Sequence, residues 1–135
     1  MSDRWTCSNT SVHNINYHLI WCTKYRKPLL SGLIEARLKE LLYNKAADIN
    51  VSVKALEIMP DHVHIFVHCT PVWSAHMLVQ QFKGATSRIL RSEFPILKSR
   101  VPTLWTRSYY AESVGHISEA VIRRYIIKGT AIEQK

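Results

Sequence analysis

Cysteine, glycine and proline are all scarce in this 135-residue chain, at three, four and five residues. Cys7, Cys22 and Cys69 are odd in number and include no Cys-x-x-Cys pair. That pattern argues against a disulfide framework or a cysteine-rich zinc knuckle and suits a reducing cytoplasm. No run approaches the ~18 uninterrupted apolar residues of a membrane span. Met1–Trp5 has none of the apolar character of a secretory leader. No internal repeat, low-complexity tract or linker divides the chain. A hydrophobic share of 47% argues against intrinsic disorder. The expectation is one basic, cytoplasmic domain spanning residues 1–135, without a membrane partner.

Acidic residues are also few. Ten Asp and Glu stand against 18 Lys and Arg, a formal charge of +8. Such an excess favours nucleic acid as a partner, because cations that neutralise phosphates release counterions. Trp21, Tyr25, Trp105, Tyr109 and Tyr110 each lie within a few residues of a Lys or Arg. Aromatics so placed can stack on unpaired bases, although any one of them could equally belong to a core.

Asn14 to Lys24 reads as a strand, with Ile15, Tyr17, Leu19 and Trp21 at alternate positions. A basic loop, Tyr25–Pro28, follows it. Ile34, Leu38, Leu41, Leu42 and Ile49 recur at helical steps and predict a helix from Ser31, its N-cap, to Asp48. Val51–Met59 and His62–Cys69 read as two strands joined at Pro60-Asp61 into a hairpin. Ala75, Leu78, Phe82, Ala85 and Ile89 predict a helix over 74–93 that ends before Pro95. Gly84 inside that helix costs about 1 kcal/mol relative to Ala, which suggests a close approach by backbone or ligand. A fourth strand is expected over 104–114 and a last helix from Ser118 to about Lys128, stopped by Gly129. The resulting class is α+β. A ferredoxin-like (RRM-like) βαββαβ antiparallel sheet carries helices on one face, plus a C-terminal helix and tail in 113–135.

The segment Pro60-Asp61-His62-Val63-His64-Ile65-Phe66-Val67-His68 carries the most chemistry. Residues two apart on a strand share a face, so His62 and His64 project side by side, about 7 Å apart at Cα. Two neutral imidazoles so placed can share a cation, or can simply be hydrogen-bonded strand histidines. Val63, Ile65 and Val67 point the other way, as core. His68 lies at the strand end and reads as a surface or DNA-facing group. Tyr125 sits in Val121-Ile122-Arg123-Arg124-Tyr125-Ile126 and is either a core tyrosine or a nucleophile. A phenol of pKa ≈ 10 attacks poorly at neutral pH unless a cation polarises its target.

Five stretches together resemble the single-tyrosine transposases of the HUH endonuclease superfamily, the small enzymes of IS200-like insertion sequences. Tyr17–Arg26 resembles the family's first strand and basic loop, and Met59–His64 its paired-histidine signature. Phe82-Lys83-Gly84 with Ser87 resembles its second helix, Leu104–Tyr110 its fourth strand, and Arg124-Tyr125-Ile126 its catalytic helix.

The resemblance implies an enzyme that binds hairpins in single-stranded DNA at element ends. It would cut beside them with Mg²⁺ or Mn²⁺ and form a covalent 5′-phosphotyrosine, which conserves the phosphodiester's energy for rejoining. Carried over, Tyr125 is the nucleophile and His62 and His64 are metal ligands. It also implies a homodimer joined through its sheets, with active sites that can be composite. Lys24, Arg26, Lys27, Lys83, Arg88 and Arg107 lie in or beside the resembling segments as candidate phosphate contacts, and Lys83 is the leading one. Trp105 or Tyr109 would stack on unpaired bases.

One position departs from the family. Its usual Gln, four residues after the tyrosine, is Gly129 here. The candidate third ligands are Gln134 and Asp61. Mg²⁺ and Mn²⁺ favour oxygen ligands, so two imidazoles alone would hold them weakly. That departure leaves a catalytically impaired, hairpin-binding relative as the alternative. An RNA reader of the same plan ranks lower, because the third strand carries histidines where such readers display aromatics.

Overall fold

The computed structural model describes residues 5–7 and 12–115. The expected last helix with Tyr125, and the tail with Gly129 and Gln134, lie outside the described residues. In chain order the elements are β1 (Thr6–Cys7), β2 (Val12–His13), β3 (Ile15–Cys22), α1 (Gly32–Asp48), β4 (Ser52–Met59) and β5 (His62–Cys69). They continue with α2 (Ala75–Glu93), α3 (Ile96–Arg100) and β6 (Tyr110–Val114). The main sheet has the order β4-β5-β3-β6, and every neighbouring pair is antiparallel. This is the βαββαβ plan, with the first and third of its strands in the centre.

Alternation along the two central strands builds the core. On β3, Leu19 and Trp21 are buried; on β5, Val63, Ile65 and Val67 join them against the helices. α1 contributes Leu38, Leu41, Leu42 and Ala46. α2 contributes Leu78, Val79, Phe82, Thr86 and Leu90, a stripe about one residue round from the predicted Ala85 and Ile89. Burying each large apolar side chain contributes roughly 1.5–3 kcal/mol. Ser74 caps α2 by accepting a hydrogen bond from the Met77 amide at 3.1 Å, whereas Ser31 occupies the cap position of α1 without a side-chain bond.

Three features differ from the sequence reading. A two-strand ribbon, β1 with β2, precedes the sheet, and the short α3 follows Pro95. The fourth strand begins at Tyr110 rather than Leu104. Leu104 and Trp105 are nevertheless buried, and Trp105 bridges Thr23. In regular pairing Tyr110 stands opposite Ile20. Trp21 and Cys22 therefore face four residues, 106–109, and the surplus bulges out of the sheet and ends the strand early.

Trp21 and Trp105 are core residues, 1% and 6% exposed, with rings packed edge to face at 6.0 Å. The Trp105 indole donates to Thr86 Oγ1 at 3.1 Å, which satisfies its N–H inside the core. Neither ring is available to stack on a base. Gly84 is exposed on α2, and among the described residues a Cβ built there meets nothing within 4 Å, so no described backbone makes the close approach expected from its helix penalty.

Candidate active site

The second face of β5 carries His62, His64, Phe66 and His68. Antiparallel register sets them opposite Cys22, Ile20, His18 and Asn16 of β3. On the far side of β3, Tyr110, Glu112 and Val114 of β6 continue the same face. His62 and His64 do project together, as alternation predicts. Their rings meet edge to face with centroids 4.8 Å apart, and both residues are buried, at 3% and 0% exposed.

Asp61 orients His62. Its Oδ1 lies 2.6 Å from His62 Nδ1, and its Oδ2 accepts from Arg26 Nε at 3.3 Å, with Arg26 Nη2 at 3.2 Å. Burial alone would raise the Asp61 carboxyl. The hydrogen bond from His62 and the charges of His62 and Arg26 outweigh that effect and hold it below its ordinary range. A carboxylate accepting from Nδ1 leaves Nε2 as the ring's outward nitrogen, the arrangement common behind metal-bound histidines. Among the described residues, His62 Nε2 is buried with no hydrogen-bond partner.

His64 is held from the other side. Its Nδ1 lies 3.3 Å from His18 Nε2, and the His18 ring stacks on Phe66 at 4.3 Å with planes 2° apart. Burial first, then the charges of His62 and His18, push His64 down to about pH 3, so it is neutral at physiological pH. His18 is lowered by burial, against an opposing pull from Glu112, whose Oε2 lies 3.8 Å from Nδ1. The sequence reading passed over His18 except as part of the family motif. Its signal was its place between Tyr17 and Leu19, on the strand face opposite the core.

His68 belongs to a separate network rather than to an open surface. It is half-buried, with Nδ1 donating to Asn16 Oδ1 at 2.9 Å and Nε2 lying 2.5 Å from Thr6 Oγ1. Asn16 Nδ2 donates in turn to Asn14 Oδ1 and to the Gly115 carbonyl, tying the ribbon and the end of β6 to the sheet.

The candidate cations divide into engaged and exposed groups. Arg26 pairs with Asp61. Lys27 Nζ donates to the Arg100 carbonyl at 3.2 Å. Lys83 is partly buried, and Nζ donates to the Thr106 carbonyl at 2.6 Å and the Arg107 carbonyl at 3.4 Å, so it anchors the bulge to α2. Burial lowers its ammonium despite an opposing effect of Cys22. Arg88 and Arg107 are exposed. Lys24 Nζ stands 5.2 Å from the ring centroid of Tyr25, a residue 68% exposed.

Tyr25 and Arg26 both take left-handed backbone angles, φ 58° and 52°. Two successive non-glycine residues there cost on the order of 1–3 kcal/mol each, a local strain of the kind found at functional sites. Beside them a cavity of about 430 Å³ is lined by Lys24, Tyr25, Arg26, Thr106 and Ser108, with Cys22 and Thr23 behind. A second, of about 420 Å³, is lined by His76, Gln80, Lys83, Arg107 and Tyr109 over Val79.

Among the described residues, no group of three or more His, Cys, Asp or Glu is arranged to hold a metal ion, and no helix is long and apolar enough to cross a membrane. The protein contributes two buried imidazoles, one backed by a carboxylate, beside a basic, strained loop.

The family model described as "Transposase IS200 like" matches residues 11–128. The chain belongs to that family. The ISDra2 transposase TnpA of Deinococcus radiodurans is 38% identical over 117 residues, 85% of this chain and 84% of the relative. The transposase for insertion sequence element IS200 of Salmonella typhimurium is 28% identical over 125 residues, 91% and 76% of the two chains. A crystal structure from D. radiodurans assigned as a transposase superposes with a TM-score of 0.76 at 35% identity, covering 91% of this chain and 96% of that one. A REP-associated tyrosine transposase bound to a REP hairpin shares the fold, with a TM-score of 0.59 at 11% identity over 93% and 68% of the chains. This IS200-like transposase is thus a DNA strand-cleaving and strand-transferring enzyme by family, on an α+β antiparallel fold.

Proposed function

We propose that this transposase binds hairpins in single-stranded DNA at insertion-sequence ends and cuts and rejoins strands through a covalent 5′-phosphotyrosine on Tyr125. The observation that carries this reading is the buried pair His62 and His64, with His62 Nε2 lacking a partner and Asp61 behind it. An unsatisfied buried nitrogen costs about 1–3 kcal/mol, a cost offset when a ligand is bound there. That donor set fits a divalent cation, Mg²⁺ or Mn²⁺. When bound, the cation would polarise the scissile phosphate and stabilise the leaving 3′-oxygen. His62 and His64 would hold it, with further oxygen ligands from water, DNA or Gln134. Asp61 has both carboxylate oxygens engaged and serves better as the partner that orients His62 than as a ligand.

Tyr125 carries the nucleophilic role on the family resemblance. Its phenolate oxygen would attack the phosphorus, the 3′-oxygen would leave, and the 5′-phosphate would remain on the ring until a 3′-OH reverses the step. The Lys24–Lys27 loop, Arg88 and Arg107 would neutralise phosphates. Lys83 would act through the bulge it anchors, and Tyr109 would stack on an unpaired base. Hairpin binding by a relative of the same fold supports this choice of substrate. A homodimer, with each site drawing on both subunits, is part of the same proposal.

A labelled hairpin from the element's own ends, with Mg²⁺ or Mn²⁺, should yield a protein-linked DNA band on a denaturing gel. The band should vanish with EDTA and in Tyr125→Phe. Gly129, standing where the family has Gln, supports a second reading, an impaired hairpin-binding relative. Tight binding with no adduct from the wild-type protein would establish that reading instead.

A further inference from the structure

We propose that His18 is a positioning residue that fixes the tautomer of His64, accepting its Nδ1–H so that the lone pair resides on Nε2. The inference rests on the metal-site reading above and adds a residue that reading leaves unused.

Contacts with Phe66, His64 and Glu112 orient His18. Its ring plane is set by stacking on Phe66 at 4.3 Å and 2°. One nitrogen, Nε2, lies 3.3 Å from His64 Nδ1, and the other, Nδ1, lies 3.8 Å from Glu112 Oε2. Glu112 is its register partner on β6, and the Tyr110 hydroxyl donates to the same Oε2 at 3.1 Å, which helps to hold the carboxylate there.

A neutral imidazole carries one N–H and one acceptor nitrogen. The carboxylate beside His18 Nδ1 favours the proton on that nitrogen, which makes Nε2 the acceptor. The hydrogen between the rings then belongs to His64 Nδ1. His62 reaches the same state by a shorter route, because Asp61 Oδ1 accepts from its Nδ1 directly. Two carboxylates on different elements, Asp61 on the hairpin turn and Glu112 on β6, thus impose one tautomer on both histidines. One acts directly and the other acts through His18.

Imidazole nitrogen NMR on the metal-free protein tests this without any catalytic readout. Long-range proton–nitrogen spectra in EDTA at pH 7.5 should show His64 protonated at Nδ1. His18→Phe keeps the stack on Phe66 but removes the acceptor, so His64 should shift toward the Nε2–H form. Mn²⁺ affinity, measured by titration calorimetry, should fall about 10–100-fold. His18→Gln, which restores an acceptor oxygen, should recover most of that affinity. Glu112→Ala sits on an edge strand, where folding tolerates change, and should produce a mixed His64 tautomer.

A wild-type His64 in the Nε2–H form would overturn the proposal. So would an unchanged His64 tautomer in both His18→Phe and Glu112→Ala. If the wild-type protein bound no Mn²⁺, the metal reading would fail, while the tautomer spectra would still decide the role of His18.

Discussion

Along β5, Val63, Ile65 and Val67 face the helices while His62, His64 and Phe66 face away from them, yet none of the six is more than 3% exposed. Burial by itself therefore does not separate core from site in this sheet. What separates them is how each face satisfies its atoms. The valines and isoleucine need only close packing, each contributing roughly 1.5–3 kcal/mol by leaving water. The imidazoles must find partners for two nitrogens each, and they do so through Asp61, His18 and, behind them, Arg26 and Glu112. At His62 Nε2 that accounting stops one bond short among the described residues. The core leaves one such atom too, the Trp21 indole N–H, but His62 Nε2 differs in offering a lone pair beside a second imidazole, which a cation can use.

Substituting neighbours on the two faces should produce opposite phenotypes. Ile65→Ala opens a cavity in the core and should cost about 2–5 kcal/mol, lowering Tm by roughly 10 °C or more. Its strand cleavage per folded molecule should stay near that of the wild type. His64→Gln should lower metal-dependent cleavage at least about 100-fold while losing less than half as much stability. Thermal melts beside adduct assays decide between them. If His64→Gln melted as early as Ile65→Ala and its folded fraction still cleaved normally, the histidine face would be a second core and the site would lie elsewhere.

The same contrast can be sharpened with acid, because only one face titrates. Burial is the first cause that lowers His18, His64 and His68, with His64 reaching about 3. In the unfolded chain these groups take up protons near pH 6.5, while in the fold they resist. The unfolded state thus binds more protons below that pH, and stability falls as the solution is acidified. Stability should be at its plateau above pH 7 and should decline from about pH 6.5 downward, by at most about 1.4 kcal/mol per pH unit for each such group. Urea denaturation in EDTA at pH 7.5 and 5.5 measures the drop, and His68→Gln should reduce it. A stability that stayed level across that interval would mean the imidazoles already carry protons in the fold, undoing the neutral, lone-pair-bearing state assigned to them.

Sequence periodicity made the apolar face legible and left the histidine face half-read. Alternation in β3 and β5 and the helical steps of α1 and α2 located Leu19, Trp21, Val63, Ile65, Leu38 and Phe82, because apolar burial leaves a repeating mark. It also paired His62 with His64. It could not find His18 or Glu112 as their neighbours, since cross-strand register depends on the whole sheet rather than on local spacing. Nor did the positive charges declare their roles. Lys83 and Lys27 look like phosphate ligands in sequence, and the fold gives their ammonium groups backbone partners as well, the carbonyls of Thr106 and Arg107 for one and of Arg100 for the other. Trp105 was ambiguous because nearby basic residues in sequence, Arg107 among them, do not reveal that its ring packs inward against Trp21. The bulge at 106–109 breaks the alternation that would have marked the start of β6.

Gly84 extends the comparison to a third surface, the exposed side of α2, where the predicted effect is smallest. A helix-interior glycine costs about 0.5–1 kcal/mol relative to Ala, and among the described residues no atom stands within 4 Å of where its Cβ would go. Gly84→Ala should therefore raise Tm by roughly 3 °C, and hairpin binding measured by fluorescence anisotropy should be unchanged, because nothing in the fold requires the gap. The adjacent Lys83 makes the result informative either way, since it ties α2 to the bulge that carries Arg107 and Tyr109. A variant that is more stable but binds the hairpin more weakly would show that the missing methyl is room kept for DNA. The nucleic-acid surface would then continue from the histidine face across the bulge onto α2. Unchanged binding would confine it to the basic loop and the bulge, and would leave Gly84 as an unused stability reserve.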